Sequence, residues 1–159
     1  MGEPKLARLG RDVFVALAAV AWADGTLDAD EADAIVRAAV DEGLSLEEIA
    51  EIEHATKNKV DLGVVDRAGL SKEDRLFVYA VACWIARMDG EVKPEESEVL
   101  AQLGEKLGIP ERPRGAAEAV AREVAEMPEG DRPARYDLAA VRRILGERLR
   151  QSQAAKQTN

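Results

Sequence analysis

The chain has 159 residues, and its 31 acidic and 22 basic side chains give a formal net charge of −9. Apolar residues make up 47% of the chain, which is too many for a disordered protein, and the length suits one compact domain. Aromatic residues make up only 4%, which favours close-packed helices over a β-sheet. One cysteine and one histidine exclude a disulfide framework, a cysteine-rich zinc site and any site that needs several imidazoles.

Targeting signals are missing from the sequence. The longest apolar runs, Val13 to Ala23 and Leu76 to Ala86, have 11 residues each, whereas a membrane-spanning helix needs about 20. The first residues lack a secretory apolar run. We therefore expect a cytoplasmic protein without a membrane span.

Hydrophobic periodicity predicts helices along nearly the whole chain, and no segment alternates with the period of a β-strand. The expected fold class is therefore all-α, a single-domain bundle of about seven helices over residues 1–150, followed by a disordered tail at 151–159. A short irregular or helical piece is expected near residues 62–69. The predicted helices are Leu9 to Ala23, Asp28 to about Gly43, Ser45 to about Asn58, Ser71 to Met88, Pro94 to Leu107, about Gly115 to Glu126 and Asp137 to Arg150.

Local signals mark several helix ends. Asp28, Ser45 and Ser71 are each followed three residues later by an acidic side chain, which is the pattern of a helix start. Asp-Gly pairs end the first and fourth helices, and we expect Gly25 and Gly90 to adopt the left-handed conformation there. The second helix is expected to bury Ile35, Val36 and Val40.

The sequence repeats itself at an offset of 65 residues. Each copy has an apolar helix, then Asp-Gly-x-(Leu/Val)-x-x-x-Glu, then a second helix that ends at Gly-(Leu/Ile). We predict two helical hairpins, about 9–44 and 74–109, that pack with pseudo-twofold symmetry because neither buries its apolar helix alone. Helices at about 115–150 complete the domain.

The repeated segments, Ala21 to Glu31 and Ala86 to Glu96, resemble the TerB-like tellurite-resistance family, which is also found in certain membrane-anchored J-domain co-chaperones. The resemblance covers about residues 9–110. It implies a compact all-helical fold, an acidic face that binds divalent cations, and a non-enzymatic stress-response or scaffolding role. The His-Pro-Asp of the J domain is absent, since Ala55 follows His54, so co-chaperone activity is not implied.

The Asp-Gly motif also matches half of a calcium-binding loop. In each copy an acid, a glycine, an aliphatic residue and a glutamate stand at loop positions 5, 6, 8 and 12, but positions 1 and 3 hold residues that cannot ligate. The alternative is that the motif only ends one helix and caps the next. The candidate ligands for Ca²⁺ or another weakly bound divalent cation are Asp24, Asp28, Glu31, Asp89 and Glu96.

Acidic residues concentrate between residues 24 and 53, where 11 carboxylates are opposed only by Arg37. Such a surface repels nucleic acid and attracts cations or basic partners, which argues against a helix-turn-helix DNA-binding protein. The alternative is a solubilising helix face. Arg142, Arg143, Arg148 and Arg150 are expected to form a basic stripe on the last helix that pairs with this acidic half.

Other chemistry-bearing residues fit structural roles better. Cys83 lies in an apolar run, which predicts a buried and inert thiol. Trp22 and Trp84 are expected in the core, and His54 on the surface. The sequence offers no nucleophile with a base, no phosphate-binding glycine loop and too few imidazoles for a di-iron site.

The predicted function is therefore a non-catalytic acidic interaction or scaffold module. Its expected partner is an unidentified protein, basic or membrane-associated, and a divalent cation bound at the Asp-Gly loop would modulate it. The alternatives are an adaptor that needs no metal and a hydrolase with a carboxylate-bound metal. The sequence does not indicate an oligomeric state.

Overall fold

The computed structural model describes residues 10–23, 27–65, 67–88, 94–128, 130 and 138–157. These residues form seven α-helices and two short 3₁₀ turns, Leu62–Val64 and Arg67–Gly69, with no strand among them, which confirms the all-α fold class. The helices are α1 (Arg11–Ala23), α2 (Ala29–Asp41), α3 (Leu46–Lys57), α4 (Lys72–Met88), α5 (Pro94–Lys106), α6 (Glu111–Ala125) and α7 (Leu138–Gln157).

Helices α1 and α4 form the centre of the bundle, as their long apolar runs predict. Helix α1 packs against α2, α3 and α4, and α4 packs against α5, α6 and α7. Phe14 on α1 and Val78 and Trp84 on α4 are almost completely buried. Burying these apolar side chains removes them from water, which is the main force that holds the bundle together.

The 65-residue offset reappears in the helix boundaries. Helices α2 and α5 are related by this offset at both ends, and α1 and α4 end at equivalent residues. Helices α3 and α6 also begin at equivalent residues, so the repeat extends over three helices instead of the two that the sequence indicates. The buried residues of α3, which are Ile52, Ala55 and Thr56, correspond to the buried Ala117, Val120 and Ala121 of α6. The pseudo-twofold arrangement of the two hairpins stays a prediction.

A Schellman motif ends the second helix of each copy. Gly43 and Gly108 have φ angles of 80° and 65°, a conformation that favours glycine. Each glycine N–H donates to the carbonyl three residues back, at 2.9 and 3.0 Å, and the next N–H donates to the carbonyl five residues back, at 3.3 and 3.0 Å. The next residues, Leu44 and Ile109, turn into the core. The Gly-(Leu/Ile) element of the repeat therefore encodes a helix stop.

The helix starts predicted at Asp28, Ser45 and Ser71 are confirmed. Ser45 forms a complete capping box with Glu48: Ser45 Oγ accepts from the Glu48 N–H at 3.2 Å, and Glu48 Oε1 accepts from the Ser45 N–H at 3.1 Å. Ser71 Oγ accepts from the Asp74 N–H at 3.1 Å at the start of α4. These bonds satisfy backbone donors that a helix N-terminus leaves free.

Two helix boundaries differ from the expected ones by four residues or more. Helix α6 begins at Glu111 instead of Gly115, because Pro113 lies in the first turn, where its missing N–H breaks no helical hydrogen bond. Helix α7 continues to Gln157 where we expected a disordered tail from residue 151. Residues 151–157 contain no glycine or proline, and their glutamines, alanines and lysine favour helix.

The expected burial of Val40 was wrong, since its side chain is 53% exposed. At about 100° per residue, the buried Ile35 and Ala39 lie within about 40° of each other around the axis of α2, whereas Val40 lies about 140° from Ile35. Ile35 is buried and Val36 is partly buried against the core, as expected.

Candidate functional site

The predicted cation ligands fall into two groups. Asp24 and Asp89, with Gly25 and Gly90, lie outside the residues that the structure describes. Asp28 is exposed and forms the N-cap of α2, where its Oδ1 accepts from the Glu31 N–H at 2.8 Å. Glu31 lies in the first turn of α2, and Glu96 lies in the first turn of α5 in the other repeat.

Within the described ranges, no three histidine, cysteine, aspartate or glutamate side chains converge as a metal-binding group. The described residues therefore do not assemble the predicted cation site. What they show is the alternative role, in which Asp28 satisfies a free backbone donor of α2. The cation site itself stays a prediction from the sequence.

The acidic segment covers the outer surfaces of α2 and α3, which pack against each other. Ion pairs relieve part of its charge. Arg37 pairs with Asp33 at 3.8 Å, Lys57 with Glu53 at 3.6 Å and Arg11 with Glu51 at 2.5 Å, and Arg142 pairs with Glu42. Except for the pair with Glu42, these ion pairs are well exposed, so they leave the surface strongly negative. The exposed carboxylates of this surface are those of Asp28, Asp30, Asp33, Asp41, Glu47, Glu51 and Glu53.

Two large apolar side chains interrupt this acidic surface. Leu46, the first residue of α3, is 85% exposed, and Val40, near the end of α2, is 53% exposed. Both lie beside the turn that joins the two helices. We call this region the acidic corner, defined by Val40, Leu46 and the exposed carboxylates of α2 and α3.

The four arginines of α7 do not form one stripe. Arg142 forms an ion pair with Glu42 of the acidic segment, as expected. Arg148 lies only about 20° around the helix axis from the buried Val141, and it pairs instead with Glu123 of α6, at 3.2 Å. Arg143 and Arg150 are exposed on the outer side of α7.

The remaining expectations about single residues are confirmed. Cys83 is 2% exposed, and burial raises the pKa of its thiol to about 12. Trp84 is fully buried, and Trp22 packs against the core with its Nε1–H donating to the Ala55 carbonyl at 2.9 Å. His54 is exposed on α3.

A groove between α4, α5 and α6 was not expected from the sequence. It has a volume of about 460 Å³ and lies beside Cys83. The Tyr79 hydroxyl donates to Glu118 Oε1 at 3.0 Å, and burial raises the pKa of this phenol well above its usual range. Arg114 Nε donates to the Ile109 carbonyl at 2.7 Å. Arg87 also lines the groove.

A model of a protein family described as a protein of unknown function, DUF533, matches residues 3–121, which is 119 of the 159 residues. The chain belongs to the DUF533 family. The family match includes both three-helix repeats except the last turn of α6, and it leaves α7 outside. No curated protein and no solved structure matches the chain significantly.

In this DUF533 chain, no helix of the described residues combines the length and the apolar character needed to cross a bilayer. The groove could have been found from the sequence by extending the repeat beyond residue 109. The repeat aligns Arg87 with Trp22, and its extension aligns Arg114 with Ile49, which places charged residues where the first copy has large apolar ones.

Proposed function

We propose that this protein is a non-catalytic interaction module whose acidic corner binds a basic, amphipathic segment of a partner protein. The observation that carries the proposal is the exposure of Val40 and Leu46 among the carboxylates of α2 and α3. Exposed apolar side chains that are surrounded by one sign of charge suit a partner that carries apolar anchors within a surface of the opposite charge.

The second copy of the internal repeat can be compared with the first at these two positions. The positions equivalent to Val40 and Leu46 in the second copy are Glu105 and Glu111, and both glutamates are exposed. A solvated surface has no need of apolar residues at these places, and the second copy has none. The apolar pair of the first copy therefore fits a docking role better than a folding role.

Other features support a binding role over a catalytic one. The thiol of Cys83 has a raised pKa, so the protein disfavours its nucleophilic thiolate form. The TerB-like resemblance, over residues 9–110, falls within the DUF533 match and implies the same kind of role. A cytoplasmic location and a part in stress response or tellurite resistance belong to this proposal.

The test uses a synthetic helical peptide with leucines on one face and lysines on the other. We expect wild-type protein to bind it, with affinity that falls as salt rises because exposed charges are screened. A peptide with glutamates in place of the lysines should not bind. Fluorescence anisotropy of the labelled peptide measures both affinities.

The decisive variant is Val40→Glu/Leu46→Glu, which copies the second repeat. By charge alone, the two added carboxylates should strengthen the binding of a basic peptide. We expect the variant to bind more weakly, by about tenfold or more, and this loss can then be attributed to the missing apolar side chains. The matched control, Gln102→Glu/Ala119→Glu, adds the same charge at exposed positions of α5 and α6. Equal or tighter binding by the first variant would overturn the proposal.

A further inference from the structure

The two repeats differ in how their second and third helices meet. The backbone of α2 packs closely against that of α3, whereas the backbones of the equivalent α5 and α6, both fully described, stay farther apart. The groove lies at this place, between α4, α5 and α6. One copy of the same three-helix unit is thus closed, and the other is open.

The residues at this junction explain the difference. Ile49 of α3 packs against the core and Ala39 of α2 is fully buried. The equivalent residues in the second copy are Arg114 and Gly104. A Cβ on Gly104 would lie 2.8 Å from Arg114 Nε, so the missing side chain makes the space that the guanidinium occupies. A charged group therefore replaces an apolar contact between the two helices.

Similar replacements occur along the rest of the groove. Arg87 replaces Trp22, and Ala101 replaces Val36, so one large apolar side chain becomes charged and another becomes smaller. A groove left open only by poor packing would keep apolar walls. This one has gained polar walls in the same steps that opened it, which indicates a site for a polar ligand.

The charges of the groove select the ligand. Arg87 and Arg114 face it with guanidinium groups that pair with no carboxylate of the described residues. Glu111 and Glu118 face it with carboxylates, of which Glu118 already accepts the Tyr79 hydroxyl. The four charges sum to zero, so an ion of one sign is attracted by one pair and repelled by the other. A molecule with both charges is complementary to both pairs.

We propose that the groove binds a small dipolar molecule that carries a carboxylate and an ammonium group, such as an amino acid or a short peptide. The guanidinium groups of Arg87 and Arg114 bind the carboxylate, since a planar fork of donors matches its two oxygens. Glu118 and Glu111 bind the ammonium group. This site is separate from the acidic corner and does not depend on it.

Three matched probes test the charge requirement. They are glycylglycine, N-acetylglycylglycine, which lacks the ammonium group, and glycylglycinamide, which lacks the carboxylate. Chemical shifts of the ¹⁵N-labelled protein report both the affinity and the site, including the Arg114 Nε–H. We expect glycylglycine to shift resonances of α4, α5 and α6, and each blocked probe to bind at least about tenfold more weakly.

Two variants separate ligand binding from folding. Gly104→Ala/Arg114→Ile installs the residues of the first repeat, and we expect it to melt no lower than wild type and to lose glycylglycine binding. Glu118→Gln keeps an acceptor for Tyr79 but removes one of the two carboxylates that bind the ammonium group, so its preference for glycylglycine over the acetylated probe should become smaller. Arg143→Met, an exposed arginine outside the groove, is the control and should bind as wild type does.

The proposal fails if glycylglycine produces no shifts in α4, α5 and α6 of the wild-type protein. It also fails if N-acetylglycylglycine binds as well as glycylglycine, which would make the groove a simple anion site. Unchanged binding by a folded Gly104→Ala/Arg114→Ile variant would place the ligand elsewhere and overturn it as well.

Discussion

Arg142 on α7 forms an ion pair with Glu42, the residue that ends α2, and the two residues lie 100 positions apart in the chain. The side chains are only 20% and 14% exposed, so water screens their attraction weakly. The pair joins the last helix to the first repeat, beside the Schellman turn at Gly43.

Replacing Arg142 should therefore destabilise the protein. Arg142→Met keeps the length of the side-chain stem but removes the charge, so the partly buried ion pair between Arg142 and Glu42 is lost. We expect the free energy of unfolding to fall by about 1–3 kcal/mol, as urea unfolding followed by circular dichroism would measure. Arg143→Met, at the exposed neighbouring position, should change it little; equal losses in both variants would show that the ion pair contributes nothing.

Asp74 gives a second prediction, on pH dependence. Burial raises the pKa of its carboxyl above the ordinary value, although a hydrogen bond with Ser71 and the charge of Arg142 oppose this. The carboxyl of Asp74 therefore has a lower pKa in the unfolded protein than in the folded one. At a pH between these two pKa values the folded protein binds more protons at Asp74, so the contribution of Asp74 to stability falls as the pH rises through this window. We expect Asp74→Asn to gain stability relative to wild type as the pH rises from about 4 through this window, in thermal melts at each pH. A stability difference between Asp74→Asn and wild type that does not change with pH would contradict this prediction.

The two Schellman glycines give a third prediction. Gly43→Ala and Gly108→Ala place a Cβ at φ angles of 80° and 65°, where it is strained. Each substitution should lower the free energy of unfolding by about 1 kcal/mol. Gly115→Ala is the matched control, because its helical position leaves room for a Cβ and alanine favours helix. A control that destabilises as much as the other two would contradict the assigned cause.

The sequence was sufficient for the fold because local signals and periodicity agreed. The capping box at Ser45 and the repeated Gly-(Leu/Ile) stops depend on backbone geometry within a few residues, and the structure has them where the sequence places them. Burial was harder to predict, since only the packed neighbours decide which side of α2 faces the core. Val40 was misplaced for that reason.

The groove exists because α5 and α6 do not pack closely against each other. Helical periodicity does not predict which helices pack together. Arg114 and Glu118 have the spacing of any solvated helix face. Their place in a groove is indicated only when Arg114 is compared with Ile49 at the equivalent place in the other repeat. That comparison required the start of α6 at Glu111, which the sequence placed four residues too late.

Cys83 gives a fourth prediction. With its pKa raised to about 12 by burial, only about one thiol in 10⁴ is ionised at pH 8, against about a quarter of ordinary thiols. Alkylation by iodoacetamide should therefore be on the order of 10³-fold slower in the native protein than in urea. Mass spectrometry of timed samples measures both rates. Rapid labelling of the native protein would show that the thiol is accessible and ionised.

The last prediction separates the two roles of Asp28. As an N-cap it accepts from the Glu31 N–H, and asparagine caps a helix about as well as aspartate does. Asp28→Asn should therefore keep the stability of wild type, whereas Asp28→Ala should lose about 1 kcal/mol.

Asparagine keeps an oxygen that can bind a cation but carries no charge, so Asp28→Asn keeps the cap and removes one of the carboxylates that attract the cation. If the first Asp-Gly loop binds Ca²⁺, calorimetric titration of wild type should give a dissociation constant of about 10⁻⁴–10⁻³ M, since half of the loop positions cannot ligate. Asp28→Asn should then bind more weakly by about tenfold, because one carboxylate no longer attracts the cation. Equal calcium binding by wild type and Asp28→Asn would leave Asp28 with its capping role alone, and no binding by wild type would remove the cation from the proposed function.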